Sequence, residues 1–305
     1  MVKINDLCDD FIVGMHGGGE IYGHQKTNSQ EALNKWLSKG IRFFEFDVSE
    51  TTDHRFVAFA HRLDKVYLEL AELSLPTTEA GCSLEWFLST KLFPYSTQGL
   101  STLSLDQLFK LLQKDASIIL MLDLFAADNE EVKRFAQYLQ SYNDMGLLSK
   151  VLIEIYDLTK VDILREYIPD IDLIYGVQPN SEIWPNTVNL CTDLDFDYIQ
   201  TLKSLNIRFI SFQWHYRNNC PDGIKTLSEN SFCILSHIDN DLNADFCRKE
   251  GVNILLVDYY YGVKHDVCAK FQRFVIRQIA QLRINCGKFL RAGLRGSIKK
   301  VIKRL

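Results

Sequence analysis

Short apolar runs alternate with amphipathic stretches along most of this chain, and polar residues gather where the apolar runs end. The rhythm opens with FIVGMHGGG (11–19), a strand that stops at His16 and three glycines. It continues through KTNSQEALNKWLSKG (26–40), a helix, and then FFEFDVS (43–49) and RFVAFAH (55–61), two strands. Further runs at 117–124, 151–156, 173–177, 207–212, 232–238 and 253–259 predict buried strands, and stretches around 129–143, 159–168, 194–204 and 241–249 predict the helices between them. Strand–helix alternation of this kind predicts a parallel sheet covered by helices. Ser104 with Gln107 three residues on forms a capping box, and Leu105, Leu108, Phe109 and Leu112 then keep helical spacing. Residues 63–99, rich in turns with one short helix at 84–90, read as an insertion over the top of the sheet. Counting the opening block gives nine strand candidates for the eight places of a closed barrel. The pair 43–49 and 56–60 reads as a hairpin, so one run lies outside it. An open doubly wound sheet is the alternative, but glycines leading into a long loop instead of straight into a helix favour the barrel.

Within FFEFDVS, Glu45 and Asp47 are two apart and share one strand face, among Phe43, Phe44, Phe46 and Val48. Burying two carboxylates on so apolar a strand is costly unless a cation meets them. Carboxylate oxygens suit a hard divalent cation, Mg²⁺ or Ca²⁺; ion pairs with Arg42 or Arg55 are the other reading. His16 and His61 end the strands on either side. Two imidazoles beside a carboxylate-held cation suit general acid–base work on a phosphate ester, whereas satisfied core histidines are the plain alternative. Carboxyl ends of barrel strands face the active site, which adds Asp123, Glu154, His215, His237 and Asp258. His24, His54 and His265 fall in loops and are expected to be solvated.

Charge divides the 305-residue chain. Residues 270–305 hold eleven of its 34 Lys and Arg and none of its 39 Asp and Glu. A (β/α) barrel commonly takes about 250 residues, so residues 1–285 are read as one barrel domain and 286–305 as a basic amphipathic tail. Such a tail suits an anionic membrane surface, and no nucleic-acid module is expected. Eight scattered cysteines without a Cys-x-x-Cys pair read as reduced thiols. With no room for a signal peptide and no membrane-length apolar run, the expected location is cytoplasmic, with the tail at the inner face of the membrane.

The pieces His16-Gly17, Thr27-Asn28-Ser29, Glu45-Phe46-Asp47-Val48, Thr52, Asp53 and His61 follow one another in an order that resembles the glycerophosphodiester phosphodiesterase family, within the phosphatidylinositol-phospholipase-C-like barrel phosphodiesterases. The match is dense over the first sixty residues and thins to single strands afterwards. It implies a (β/α)8 TIM barrel that hydrolyses a phosphodiester with a divalent metal on Glu45, Asp47 and Asp123. His16 and His61 would then act as acid, base or nucleophile, and Gly17, Arg62, Glu154, His215 and His237 would line the substrate site. Implied substrates are a glycerophosphodiester, a phospholipid head group or a glycerol-phosphate polymer. Two positions depart from the family pattern: Gly17 stands where an arginine is favoured, and Phe125 where many relatives carry a lysine. Losing one such phosphate contact costs on the order of a hundredfold in rate. Arg62, on the facing strand end, is the expected compensation. A non-catalytic binding barrel and a lyase forming cyclic phosphates are the competing readings.

Overall fold

A computed structural model of the chain describes Ile4, Leu7 and residues 11–60, 62–74, 76, 81–95, 97, 99–125, 127–177, 196–213, 223–240 and 244–259. His61, His215 and His265 therefore lie outside the described residues, as does the basic tail.

The strands are β1 (Ile12–Met15), β2 (Phe43–Glu50), β3 (Phe56–Ala58), β4 (Lys91–Leu92), β5 (Leu100–Ser101), β6 (Leu103–Ser104), β7 (Ile119–Asp123), β8 (Val151–Ile155), β9 (Asp172–Val177), β10 (Phe209–Gln213), β11 (Cys233–Asn240) and β12 (Ile254–Tyr259). Eight of them form a closed parallel barrel in the order β1-β12-β11-β10-β9-β8-β7-β2, and β2 returns to β1 through Met15 opposite Phe44. The ninth strand candidate is β3, which pairs antiparallel with β2 outside the ring, Val48 opposite Ala58. Helices α1 (Gln30–Ser38), α2 (Lys65–Leu70), α3 (Leu84–Ser89), α4 (Leu105–Lys114), α5 (Asn129–Asn143), α6 (Lys160–Tyr167), α7 (Phe196–Ser204), α8 (Gly223–Glu229) and α9 (Ala244–Lys249) connect them. The fold is thus a (β/α)8 barrel, as the alternation predicts. Two short helices, α2 and α8, were not visible in it, because six or seven residues are too few to show a helical period.

Local chemistry fixes the helix starts. The capping box at α4 is present: the Ser104 hydroxyl accepts from Gln107 N–H while the Gln107 side chain accepts from Ser104 N–H. A second one opens α5, with Asp128 and Glu131 exchanging the same bonds. Each is worth about 1 kcal/mol.

Three apolar cores follow from the strand period of two. Outward residues such as Phe44, Phe46, Leu120, Leu122 and Ile153 meet the helices in the largest core. Inward residues Phe43, Met121, Leu152, Ile174, Phe209, Leu235 and Leu256 fill the lower barrel, with Leu7 and Ile4 packed against them. The third core, with Phe59, Leu68, Ala71, Phe87 and Leu92, belongs to the 63–99 insertion. Moving two residues along each inward column changes the chemistry. Phe43 is followed by Glu45 and Asp47, Met121 by Asp123, Leu152 by Glu154, Phe209 by Ser211, Leu235 by His237 and Leu256 by Asp258. An apolar plug therefore supports a polar upper layer at the carboxyl ends of the strands.

Candidate active site

The polar layer is buried and acidic. Glu45 and Asp47 come from β2, Asp123 from the end of β7 and Glu154 from β8; Asp47 lies opposite Asp123, and Asp123 opposite Glu154. Glu45 and Glu154 are wholly buried, and Asp47 and Asp123 nearly so. Oxygen atoms of Glu45, Asp47 and Asp123 lie within 4.8 Å of one another. Neither arginine offered as a partner for the first two acids serves them: Arg42 reaches Ser117 and backbone carbonyls, and Arg55 reaches Asp106. Oε1 of Glu45, Oδ1 of Asp123 and Oε2 of Glu154 have no hydrogen-bond partner among the described residues. Burial pushes the Glu45 carboxyl well up, and the charge of Asp47 adds to it. Asp123 is raised by burial and then by Glu154, Asp47 and Glu45. Glu154 is pushed up to about 7 by burial, with the Ser211 and Tyr156 hydroxyls pulling the other way.

The remaining oxygens are held in place. Asn28 grips Asp47 twice: its Nδ2 donates to Oδ2 at 2.8 Å, and its Oδ1 accepts from the Asp47 N–H at 3.2 Å. Gly17 N–H donates to Glu45 Oε2 at 2.5 Å. Ser211 donates to Glu154, and the Tyr156 hydroxyl donates to Asp123 Oδ2 at 3.2 Å. Gly176 on the neighbouring strand β9 leaves room for the Tyr156 ring; any Cβ there would overlap Tyr156 Cε1. Phe125 stands edge-on to the same ring, centroids 5.1 Å apart. Phe125, which stands where the resembling family often has a lysine, thus packs against a residue that donates to Asp123.

His16 sits where β1 ends, in a short turn over His16–Gly18. Its Nδ1 is 3.1 Å from Asp258 Oδ1, and its Nε2 is 3.9 Å from Glu45 Oε2 and 3.3 Å from Nδ1 of His237. The two rings meet edge to face with centroids 4.6 Å apart. Burial lowers the pKa of His237 well below the usual imidazole value, helped by His16 and Lys26. An imidazole with a carboxylate on one nitrogen, and the other aimed at the acidic layer, can accept and return a proton at that second nitrogen.

Most of the sequence-predicted site residues described here converge: His16, Gly17, Glu45, Asp47, Asp123, Glu154 and His237 share the polar layer. Arg62 stands apart. It is exposed and lines a cavity of about 280 Å³ whose walls include Glu50, Asp128 and Glu131 but none of the three clustered acids. His54 is exposed and pairs with Glu50. His24, expected in solvent, is instead buried against Phe93, centroids 4.3 Å apart, because its loop folds back under the 63–99 insertion. Burial lowers its pKa despite Glu72 and Glu20. Sequence reading missed Tyr156, Ser211 and the partnership of Asp258 with His16. Their inward register was legible, but the cross-barrel contacts were not.

The chain matches no protein-family model and no curated protein sequence. Among solved structures it is similar to a glycerophosphodiester phosphodiesterase from Parabacteroides distasonis, at 17% identity and a TM-score of 0.60 over 90% of this chain and 98% of that one. It is similar to a second such enzyme, from Thermotoga maritima, at 14% identity and 0.56 over 81% and 94%. An Oleispira antarctica phosphodiesterase solved with the product sn-glycerol-3-phosphate matches at 16% identity and 0.51 over 81% and 93%. The likeness spans nearly the whole of each of these proteins and shows a common barrel.

Proposed function

We propose that this barrel is a metal-dependent phosphodiesterase that cleaves a glycerophosphodiester. The carrying observation is the buried trio Glu45, Asp47 and Asp123, whose oxygens cluster within 4.8 Å while two of them lack any hydrogen-bond partner among the described residues. An all-oxygen, triply acidic donor set fits Mg²⁺ or Ca²⁺. A divalent cation held there supplies Lewis-acid polarisation of a phosphoryl oxygen. Support also comes from the barrel's likeness to solved glycerophosphodiester phosphodiesterases and from the motif order that resembles the same family.

The chain's own residues supply the proton transfers. Asp258, 3.1 Å from His16 Nδ1, balances the charge the ring gains on protonation, and Nε2, which rests 3.3 Å from His237 Nδ1, leaves that contact to take a proton from the attacking hydroxyl. Water as the attacking group gives hydrolysis, and a hydroxyl of the substrate gives a cyclic phosphate first. His61, by its match to the family motif, donates the proton to the departing oxygen. His237, kept neutral by burial, fixes the angle of the His16 ring. Asn28, Gly17 N–H and Tyr156 keep Asp47, Glu45 and Asp123 from turning away.

The test is release of sn-glycerol 3-phosphate from glycerophosphocholine. Turnover should disappear in EDTA and return with Mg²⁺ or Ca²⁺. Absence of metal-sensitive turnover across a panel of phosphodiesters would instead identify a binding barrel.

A further inference from the structure

Lys26 and the cleft beside it are unused by the chemistry above. Residues 17–28 form a loop pinned over the polar layer. Asn28 N–H donates to Gly17 O at 2.8 Å, and Trp36 and Lys35 both donate to the Glu20 carbonyl. Gly17 has φ 55° and ψ 39°, and a Cβ on it would sit 2.6 Å from both Cα and Cβ of Lys26. Absence of a side chain at position 17 is thus what lets the Lys26 backbone close over the site. The Lys26 charge is felt on both sides of that site, by Glu45 and by His237. Its side chain is exposed, and no ion pair is seen for it among the described residues.

Lys26 also borders a second cavity, of about 220 Å³, distinct from the one beside Arg62. Asn28, the residue gripping Asp47, lies at the same border and links the cleft to the acidic layer, although none of the clustered acids lines it. Gln25 and Thr27 complete the polar side formed by Lys26 and Asn28, and the other walls are apolar: Phe59, Ala60, Tyr67, Leu70, Ala71, Leu92 and Phe93. Most come from the 63–99 insertion. Leu70 is 67% exposed at the rim, an apolar side chain left in water beside the cleft. A cation at the mouth with a greasy slot behind it is complementary to an anionic phosphate carrying a hydrocarbon substituent, since each methylene moved from water into such a slot gains about fourfold in affinity.

We propose that Lys26 contacts the substrate phosphate and that this cleft takes an apolar chain attached to it, so that the preferred diester bears an alkyl or acyl group and is not wholly polar. The inference rests on the phosphodiesterase reading and narrows its substrate.

Alkylphosphonates of one to ten carbons test it without turnover, because their carbon–phosphorus bond is not hydrolysed. Titrated by calorimetry in Mg²⁺ or Ca²⁺, the wild-type protein should bind them about fourfold more tightly per added methylene, then reach a plateau where the cleft ends. Ala71→Leu, which fills the cleft, should flatten the slope and leave methylphosphonate unaffected. Leu70→Ser, at the exposed rim, should shorten the plateau even if the first variant fails to fold. Lys26→Gln should weaken every member of the series by a similar factor. Affinity independent of chain length, or climbing without a plateau, overturns the cleft; an unchanged series in Lys26→Gln overturns the phosphate contact. Failure of methylphosphonate itself to bind points instead to failure of the phosphodiesterase reading.

Discussion

A half-buried carboxylate on the outside of the barrel and the buried ones inside it are treated in opposite ways. On the outer side of the barrel, Asp106 accepts from the hydroxyls of Tyr138 and Tyr142, at 2.6 and 2.5 Å, and from Arg55 at 2.8 Å. Burial pushes its pKa up, but those three donors outweigh it and hold the carboxyl below its usual range. In the polar layer, Glu45 and Asp123 are more deeply buried, have fewer donors, face one another and are pushed upward. An acid placed to brace a fold is surrounded by donors, because an unmet buried oxygen costs about 1–3 kcal/mol. The inner acids forgo that compensation at more than one position, and the arrangement is stable at neutral pH only if protons or a cation supply the missing charge.

The contrast is broken most severely by exchanging the acids for amides. Glu45→Gln should lower turnover on the order of a thousandfold. At pH 8 without metal it should leave the fold as stable as wild type or more so, because the raised pKa of Glu45 is a stability deficit above about 4.5. Asp106→Asn should do the reverse, costing about 1.5–3 kcal/mol in urea denaturation with turnover unchanged. Equal loss of stability in both variants would erase the distinction.

A second measurement sharpens it through pH. Glu45, Asp123 and Glu154 have raised pKa values, so what they contribute to the stability of the metal-free protein is fully present below the ordinary carboxylate range and lost as pH rises through the raised values, about 7 for Glu154. His24 and His237, with lowered pKa values, act oppositely, losing stability as pH falls below 6.5. The quantity to follow is therefore the gain from added cation. It should be absent at pH 4, grow through pH 7 and reach about 2.7 kcal/mol at a hundred times the dissociation constant. A gain that does not vary with pH would mean the cation binds elsewhere.

The smallest effect lies one step out. Asn28→Ala removes both bonds that Asn28 makes to Asp47 and should weaken cation binding ten- to a hundredfold by calorimetry. No change would mark Asp47 as held by its strand alone.

Much of this was legible in the residues themselves. The period-two spacing of Glu45 and Asp47 placed both on the inward face of β2, and serine and glutamine three apart marked the start of α4. Inward acids at strand ends followed from the same register. The turn chemistry at Gly17 was half legible: three glycines announced positive φ, but not the close approach of Lys26. Buried His24 and the Tyr156 bridge were not legible, since both depend on side chains meeting across the barrel or beneath an insertion whose path no local pattern sets. The family resemblance marked Phe125 as a place where relatives carry a lysine, and could not show that its ring packs edge-on against Tyr156.

The ring closes where β1 lies between β12 and β2, Ile12 to Met15 running alongside Ile254 to Val257. His16 therefore receives its carboxylate partner from a strand translated some 240 residues later, and Asp258 trails Glu45 by 213 positions. At about 5–20 residues per second, a ribosome takes roughly 10–40 s to cover the second interval. Until then the acids already made have neither a finished ring around them nor an imidazole paired with Asp258. The acidic layer and its imidazole can thus be assembled only with the last stave of the barrel, and a nascent chain stalled before residue 254 lacks both a closed ring and Asp258.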